Sequence, residues 1–192
     1  MTNMADAGST SSPVPPQKHY TYEDYLNLDD DQRYELIGGE LIVVPRPKLK
    51  HQKTAYRLFG LLENFIQQKG IGDVYGEVDV LMGGQVVAPD VLFISKERLC
   101  IIGETSIQGA PDLVVEVLSQ STRKLDRTKK TLLYLTHGVR EYWLVDPEIQ
   151  TVEVFQAGKD RWELAGVYDE KETLTSPLLP GLEIDLKKVF AS

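Results

Sequence analysis

Cysteine is almost missing from this 192-residue chain: Cys100 stands alone, which rules out an internal disulfide and fits a reducing compartment. Histidine is scarce as well, with three scattered copies, so a zinc site of the Cys/His type is not expected. No apolar run nears the roughly 20 residues that cross a bilayer, and the N-terminus has neither the basic start nor the apolar stretch of a secretory signal. These absences lead us to expect a cytoplasmic protein with no membrane partner. A phosphate-binding glycine loop, a nucleophile elbow and a dinucleotide fingerprint are absent too. Positive charge is in deficit, with a formal net charge of −8, which counts against indiscriminate nucleic-acid binding by the whole surface.

What remains is the composition of a globular protein, 42% hydrophobic and 26% charged, with a length suited to one core. Residues 1–18 are rich in Ser, Thr, Pro and Ala without periodicity and read as a disordered tail. Residues 19–192 read as a single domain. Thr21 followed by Glu23 and Asp24 marks a short helix start. In RYELIGGELIVV, Gly38-Gly39 between two alternating runs predicts a hairpin. Ala55, Leu58, Phe59, Leu62, Phe65 and Ile66 form the stripe of an amphipathic helix over 52–69, closed by Gly70. VYGEVDVLM, Gly83-Gly84 and VVAPDVLFI predict a second hairpin, with Glu77 opposite Asp90. Gly83-Gly84-Gln85 is therefore a turn. LVVEVLS reads as a central strand and 123–137 as a helix, capped by Ser121 or Thr122 and ended by Gly138. EYWLVD and TVEVFQ form a third hairpin, then come a shorter strand near 162–167 and a short C-terminal helix. Tyr142 and Trp143 fall to the core. The class is α/β, with a central mixed sheet flanked by helices and an N-terminal hairpin.

Two strands carry an acid that a plain core strand does not need. Glu116 sits among Val114, Val115, Val117 and Leu118, where an unpaired carboxylate is costly. It needs a cation, a basic side chain or water. Asp90 opens the preceding run, and neighbouring strands lie about 4.8 Å apart, so two carboxylates side by side can share one metal. Asp112 also follows a proline, but it lies roughly 13 Å from Glu116 along one strand at about 3.3 Å per residue. An all-oxygen site favours Mg²⁺ or Mn²⁺. Charge is unevenly spread around these acids. Residues 42–61 hold Arg46, Lys48, Lys50, Lys53 and Arg57 with no acid, and 122–130 hold Arg123, Lys124, Arg127, Lys129 and Lys130 against Asp126 alone. We assign contact with DNA to Lys50, His51, Lys53, Arg123 and Arg127, as a basic rim around an acidic centre; an ordinary surface histidine is the competing reading of His51.

Pro89-Asp90, then Glu116-Val117-Leu118, then Lys130 resembles the PD-(D/E)XK nuclease superfamily, the restriction-endonuclease-like fold. RYELIGGEL, His51, APDVLFI, PDLVVEVLS, GVREYWLVDPE and LLPGLEI further resemble one bacterial branch, first classed as a domain of unknown function and abundant in photosynthetic bacteria. The resemblance runs from about Tyr20 onward. It implies that Asp90, Glu116 and the Val117 carbonyl bind the metal, that Glu35 is a supporting acid, and that the missing lysine at Leu118 has moved to the next helix. Taken alone, Glu35 reads as an exposed strand residue. Lys130 shares a face with Leu133, Tyr134 and His137, whereas Lys129 points about 100° away; Lys130 is our choice. The expected function is Mg²⁺- or Mn²⁺-dependent hydrolysis of DNA phosphodiesters, and a homodimer would suit double-strand cleavage. A binding or scaffold protein that kept the fold without turnover is the alternative, and a small-phosphoester hydrolase is a third.

Overall fold

The computed structural model describes residues 18–191. The predicted tail lies outside them, apart from Lys18. Helix α1 (Tyr22–Leu26) starts at a capping box, in which Thr21 Oγ accepts the Asp24 N–H and the Asp24 carboxylate accepts the Thr21 N–H. Strands β1 (Tyr34–Ile37) and β2 (Glu40–Val43) turn at Gly38 and Gly39, whose φ of 61° and 77° are the positive pair that a tight hairpin requires. Helix α2 (Leu49–Lys69) begins three residues before the expected start at 52 and stops at Gly70 in the left-handed conformation.

The next stretch corrects the expected single hairpin. β3 (Gly72–Tyr75) and β4 (Val80–Met82) belong to different sheets, as do β5 (Gln85–Val87) and β6 (Val91–Ser95). β4 and β5 join across Gly83-Gly84 and complete a four-stranded sheet in the order β2-β1-β5-β4. The chain changes sheet at Glu77, with φ 50°, and at Pro89, which has no N–H to give a ladder. Glu77 does meet the 89–90 segment, but by its backbone N–H on the Pro89 carbonyl at 3.2 Å. Its carboxylate turns to Arg33 at 3.4 Å. Gln85 ties the two glycine turns together by accepting the Gly38 N–H at 2.7 Å.

β7 (Leu113–Val117) is buried throughout. The helix after it is not uniform: α3 (Arg123–Leu125), a π turn (Asp126–Lys130) and α4 (Thr131–His137) follow one another. Its start is secured by Ser119, whose Oγ accepts the Thr122 N–H, and not by a side chain at 121 or 122. β8 (Glu141–Asp146) and β9 (Thr151–Ala157) form the third hairpin. β10 (Trp162–Asp169) is eight residues long, not the short strand expected. A two-stranded ribbon, β11 (Thr173–Thr175) with β12 (Glu183–Asp185), leads into α5 (Leu186–Phe190).

The main sheet runs β10-β9-β8-β7-β6-β3, antiparallel except for the parallel β7–β8 pair joined by the helical crossover. Its central strands bury both faces, which is why they read as unbroken apolar runs. One face carries Val91, Phe93, Val115, Val117, Trp143 and Val145 against α2 and α5. The other carries Leu92, Ile94, Val114, Leu118, Tyr142 and Leu144 against α4 and the small sheet. No helix among the described residues is long and apolar enough to cross a membrane.

Candidate active site

In the β6–β7 ladder Val91 stands opposite Val115, so one step further along sets Asp90 against Glu116 on the same side of the sheet. Asp90 is held by the Val117 N–H, which donates to its Oδ2 at 2.7 Å, and by His51 Nε2 at 3.3 Å. Glu116 Oε1 accepts from the Lys130 ammonium at 3.0 Å and from the Tyr134 hydroxyl at 2.5 Å. Lys130 also reaches Glu35 at 2.8 Å and Asp126 at 3.4 Å. Glu35 is 2% exposed, and its Oε1 additionally accepts the Ala88 N–H at 3.1 Å, so it is not the exposed strand residue that its own sequence context suggests. β1 delivers this acid from the small sheet to the main one.

One helix supplies both an acid and a base here, four residues apart, with a π turn spanning them. Widening the turn frees the Asp126 carbonyl from the regular ladder, and the hydroxyls of Thr131 (2.6 Å) and Tyr142 (3.0 Å) occupy it. Asp126 and Lys130 are buried together. Lys129, by contrast, points outward to Glu40 at 2.6 Å. Leu118, where a lysine would be usual, is 1% exposed and packs in the core below α4.

This cluster holds more carboxylates than one lysine can neutralise. Burial alone would favour a neutral Lys130, but Glu116, Glu35 and Asp126 outweigh it and hold the ammonium well above the usual lysine range. Burial pushes the Glu116 carboxyl well up, and although Lys130 opposes this, Asp126, Asp90 and Glu35 add to it. Burial likewise raises Asp126. Burial disfavours charged His51, yet the Asp90 carboxylate and the Val117 carbonyl prevail and raise its pKa. Tyr134 stays a phenol, raised first by burial and then by Glu116.

These groups form the floor of a cavity of about 640 Å³ whose lining includes Glu35, His51, Asp90, Glu116, Val117 and Lys130. Four of the five cations predicted to contact DNA do not line it. Lys50 pairs with Glu148 (3.2 Å), Arg123 with Asp146 (2.5 Å) and Arg127 with Glu153 (2.7 Å), while Lys53 faces an open groove on α2. Besides His51, the basic residues at the cavity are Arg33, Arg46, Lys48 and Lys130. Sequence reasoning also passed over Asp126 and Tyr134. Their signal was present, since both fall on the Lys130 face of the helix at spacings of four.

The second Pro-Asp pair is a structural clamp. Asp112 is fully buried and accepts the Ser95 N–H at 2.8 Å, with Arg98 and Arg140 at 3.1 and 3.3 Å. A cleft of about 740 Å³ between α1 and the small sheet holds no comparable cluster; there Tyr25 donates to Asp79 at 3.0 Å, and burial beside that acid pushes its phenol up to about 12.

Among the described residues no three His, Cys, Asp or Glu side chains form a ready metal cage. A Mg²⁺-type ion does not need one, because it keeps several waters and takes one or two carboxylates. The donor chemistry fits such an ion: two carboxylates at facing register positions, a neighbouring backbone carbonyl, and more buried acids than the single Lys130 ammonium can pair with.

A mixed sheet with a parallel central pair, acids at its strand ends and a lysine from the crossover helix defines a protein of restriction-endonuclease-like fold. The chain belongs to the Uma2 family, described as "Putative restriction endonuclease", whose model matches residues 22–187. It is 29% identical over 168 residues to the uncharacterized protein sll1609 of Synechocystis sp., covering 82% of this chain and 92% of that one. A crystal structure described as a putative nuclease belonging to DUF820, from Anabaena variabilis, superposes with a TM-score of 0.75 at 25% identity, over 89% of this chain and 97% of that one.

Proposed function

We propose that the protein is a Mg²⁺- or Mn²⁺-dependent endonuclease that hydrolyses phosphodiester bonds in DNA. The observation that carries this reading is the Lys130 ammonium fixed among Glu35, Glu116 and Asp126 beside Asp90, at the floor of a cavity open to solvent. Asp90, Glu116 and the Val117 carbonyl would hold the cation, which when bound lowers the pKa of a water and offsets charge on the phosphate. Lys130 stays protonated and presents a fixed positive charge to the phosphate. Glu35 and Asp126 orient that ammonium, Tyr134 orients Glu116, and His51 with the Val117 N–H orients Asp90.

The test is cleavage of plasmid and single-stranded DNA with Mg²⁺ or Mn²⁺ by the wild type, Glu116→Ala and Lys130→Ala. Loss of at least about a hundredfold in both variants, with folding intact, is expected from removing a charge-stabilising group. A Mn²⁺-dependent rise in Tm that disappears in Asp90→Asn is the second readout. A wild type inert on every DNA tested, or activity that survives Glu116→Ala, refutes the proposal.

A further inference from the structure

The reacting groups lie deep. Glu35, Glu116, Asp126 and Lys130 are 2%, 3%, 1% and 4% exposed. One wall of the cavity above them is the arm Val44–Lys48 between β2 and α2, and the other includes the Ser119–Thr122 turn after β7. Pro45 and Pro47 flank Arg46; each fixes its own φ and restricts the residue before it, so the arm is stiff. A cavity of about 640 Å³ takes a ligand the size of one or two nucleotides, not a paired helix. In a duplex, a phosphate descends to such a floor only if its nucleotide leaves the stack.

Charge sorts the same way. Lys50, Arg123, Arg127 and Lys129 each pair with an acid outside the cavity. Arg46 and Lys48 are exposed, line the cavity, and make no ion pair among the described residues. Lys48 also heads the 21-residue α2, whose first turn has neither a capping side chain nor an acid, so its amides add to the positive potential. His51 Nδ1, in that same turn, is buried without a partner.

We propose that this arm is a strand clamp: Arg46 and Lys48 take phosphates of one DNA strand on either side of the linkage lowered to Lys130, so the cavity accepts single-stranded DNA and excludes intact duplex. Ile42, Val43 and Val44 offer the strand an apolar edge. The identity of the ligand rests on the nuclease reading; the clamp itself is tested without turnover. Fluorescence anisotropy in EDTA compares a labelled single-stranded oligonucleotide with its duplex, for the wild type, Arg46→Ala/Lys48→Ala and a control, Lys50→Ala/Arg123→Ala. The wild type is expected to bind the single strand at least about tenfold more tightly, reflecting the unpairing a duplex requires. In the arm variant the slope of log affinity against log salt should fall by about 1.4, two phosphates at about 0.7 each. The control should keep the wild-type slope. Equal binding of duplex, or an unchanged slope in the arm variant, overturns the clamp. Thermal melts establish that both double variants are folded. Binding that follows the arm while cleavage is absent rejects the nuclease reading and leaves the clamp; cleavage without strand preference does the reverse.

Discussion

Replacing Lys130 by methionine keeps most of the stem volume and removes one charge. In the native cluster that charge lies 2.8 Å from Glu35, 3.0 Å from Glu116 and 3.4 Å from Asp126, with 5% of the side chain exposed. Losing one partner of a buried ion pair costs about 3–5 kcal/mol, because the acids left behind are neither solvated nor neutralised. The loss depends on pH in a definite direction. Lys130 has a raised pKa, so its contribution is complete below the unfolded lysine value and persists across neutral pH. In the variant, the carboxyl groups of Glu116 and Asp126, already raised by burial, rise further. Above the ordinary glutamate range the folded state then binds more protons than the unfolded state, and stability falls as pH increases. Urea unfolding near pH 5 and near pH 8 should therefore give a small deficit at the lower value and the full about 3–5 kcal/mol at the higher one, at constant m. A deficit below about 1 kcal/mol at both, or one that does not change with pH, would refute the counter-ion role.

Glu116→Gln removes a carboxylate that burial and three like charges already disfavour, while the amide can still accept from Lys130 and Tyr134. Stability at pH 8 should hold or rise by up to about 1 kcal/mol as cleavage drops, and melts showing a loss above about 2 kcal/mol would contradict this. Asp112→Asn should behave in the opposite way. Burial works against the charged form of Asp112, but the Ser95 N–H and Arg98 prevail and lower its pKa, so its contribution is present at neutral pH and fades as pH falls below the ordinary aspartate range. We expect a loss of about 2–3 kcal/mol at pH 7, reduced because both arginines are partly exposed, with DNA cleavage per folded molecule unchanged.

Local chemistry wrote the glycine turns, the stripe of α2 and the buried run of β7 plainly into the sequence, because each is decided by neighbours within one turn or one strand. The division of residues 72–95 between two sheets was not legible. Alternation continues through Glu77 and Pro89, and only the partners waiting on either side determine which ladder each half joins. Glu35 illustrates the same limit. Four residues of YELI show an acid in a strand, but its burial is imposed by Lys130 and the Ala88 N–H, distant in sequence. The basic runs show the converse limit: counting cations near a site does not reveal Asp146, Glu148 and Glu153, which pair with Arg123, Lys50 and Arg127. Asp126 was visible as a helix neighbour of Lys130 but was counted as a lone acid in a basic run.

The π turn has a bearing on how the chain tolerates length changes. Deleting one residue between Asp126 and Lys130 would restore a regular helix and offset its two halves by about 100°. Leu133 and Tyr134 are seated in the core and Trp162 holds the Thr131 carbonyl from the sheet, so the downstream half is the one that stays fixed. Asp126 would then leave the cavity while Lys130 stays. Helix content would survive such an indel and the constellation would not, which makes this five-residue segment the place where the register of the chemistry is set.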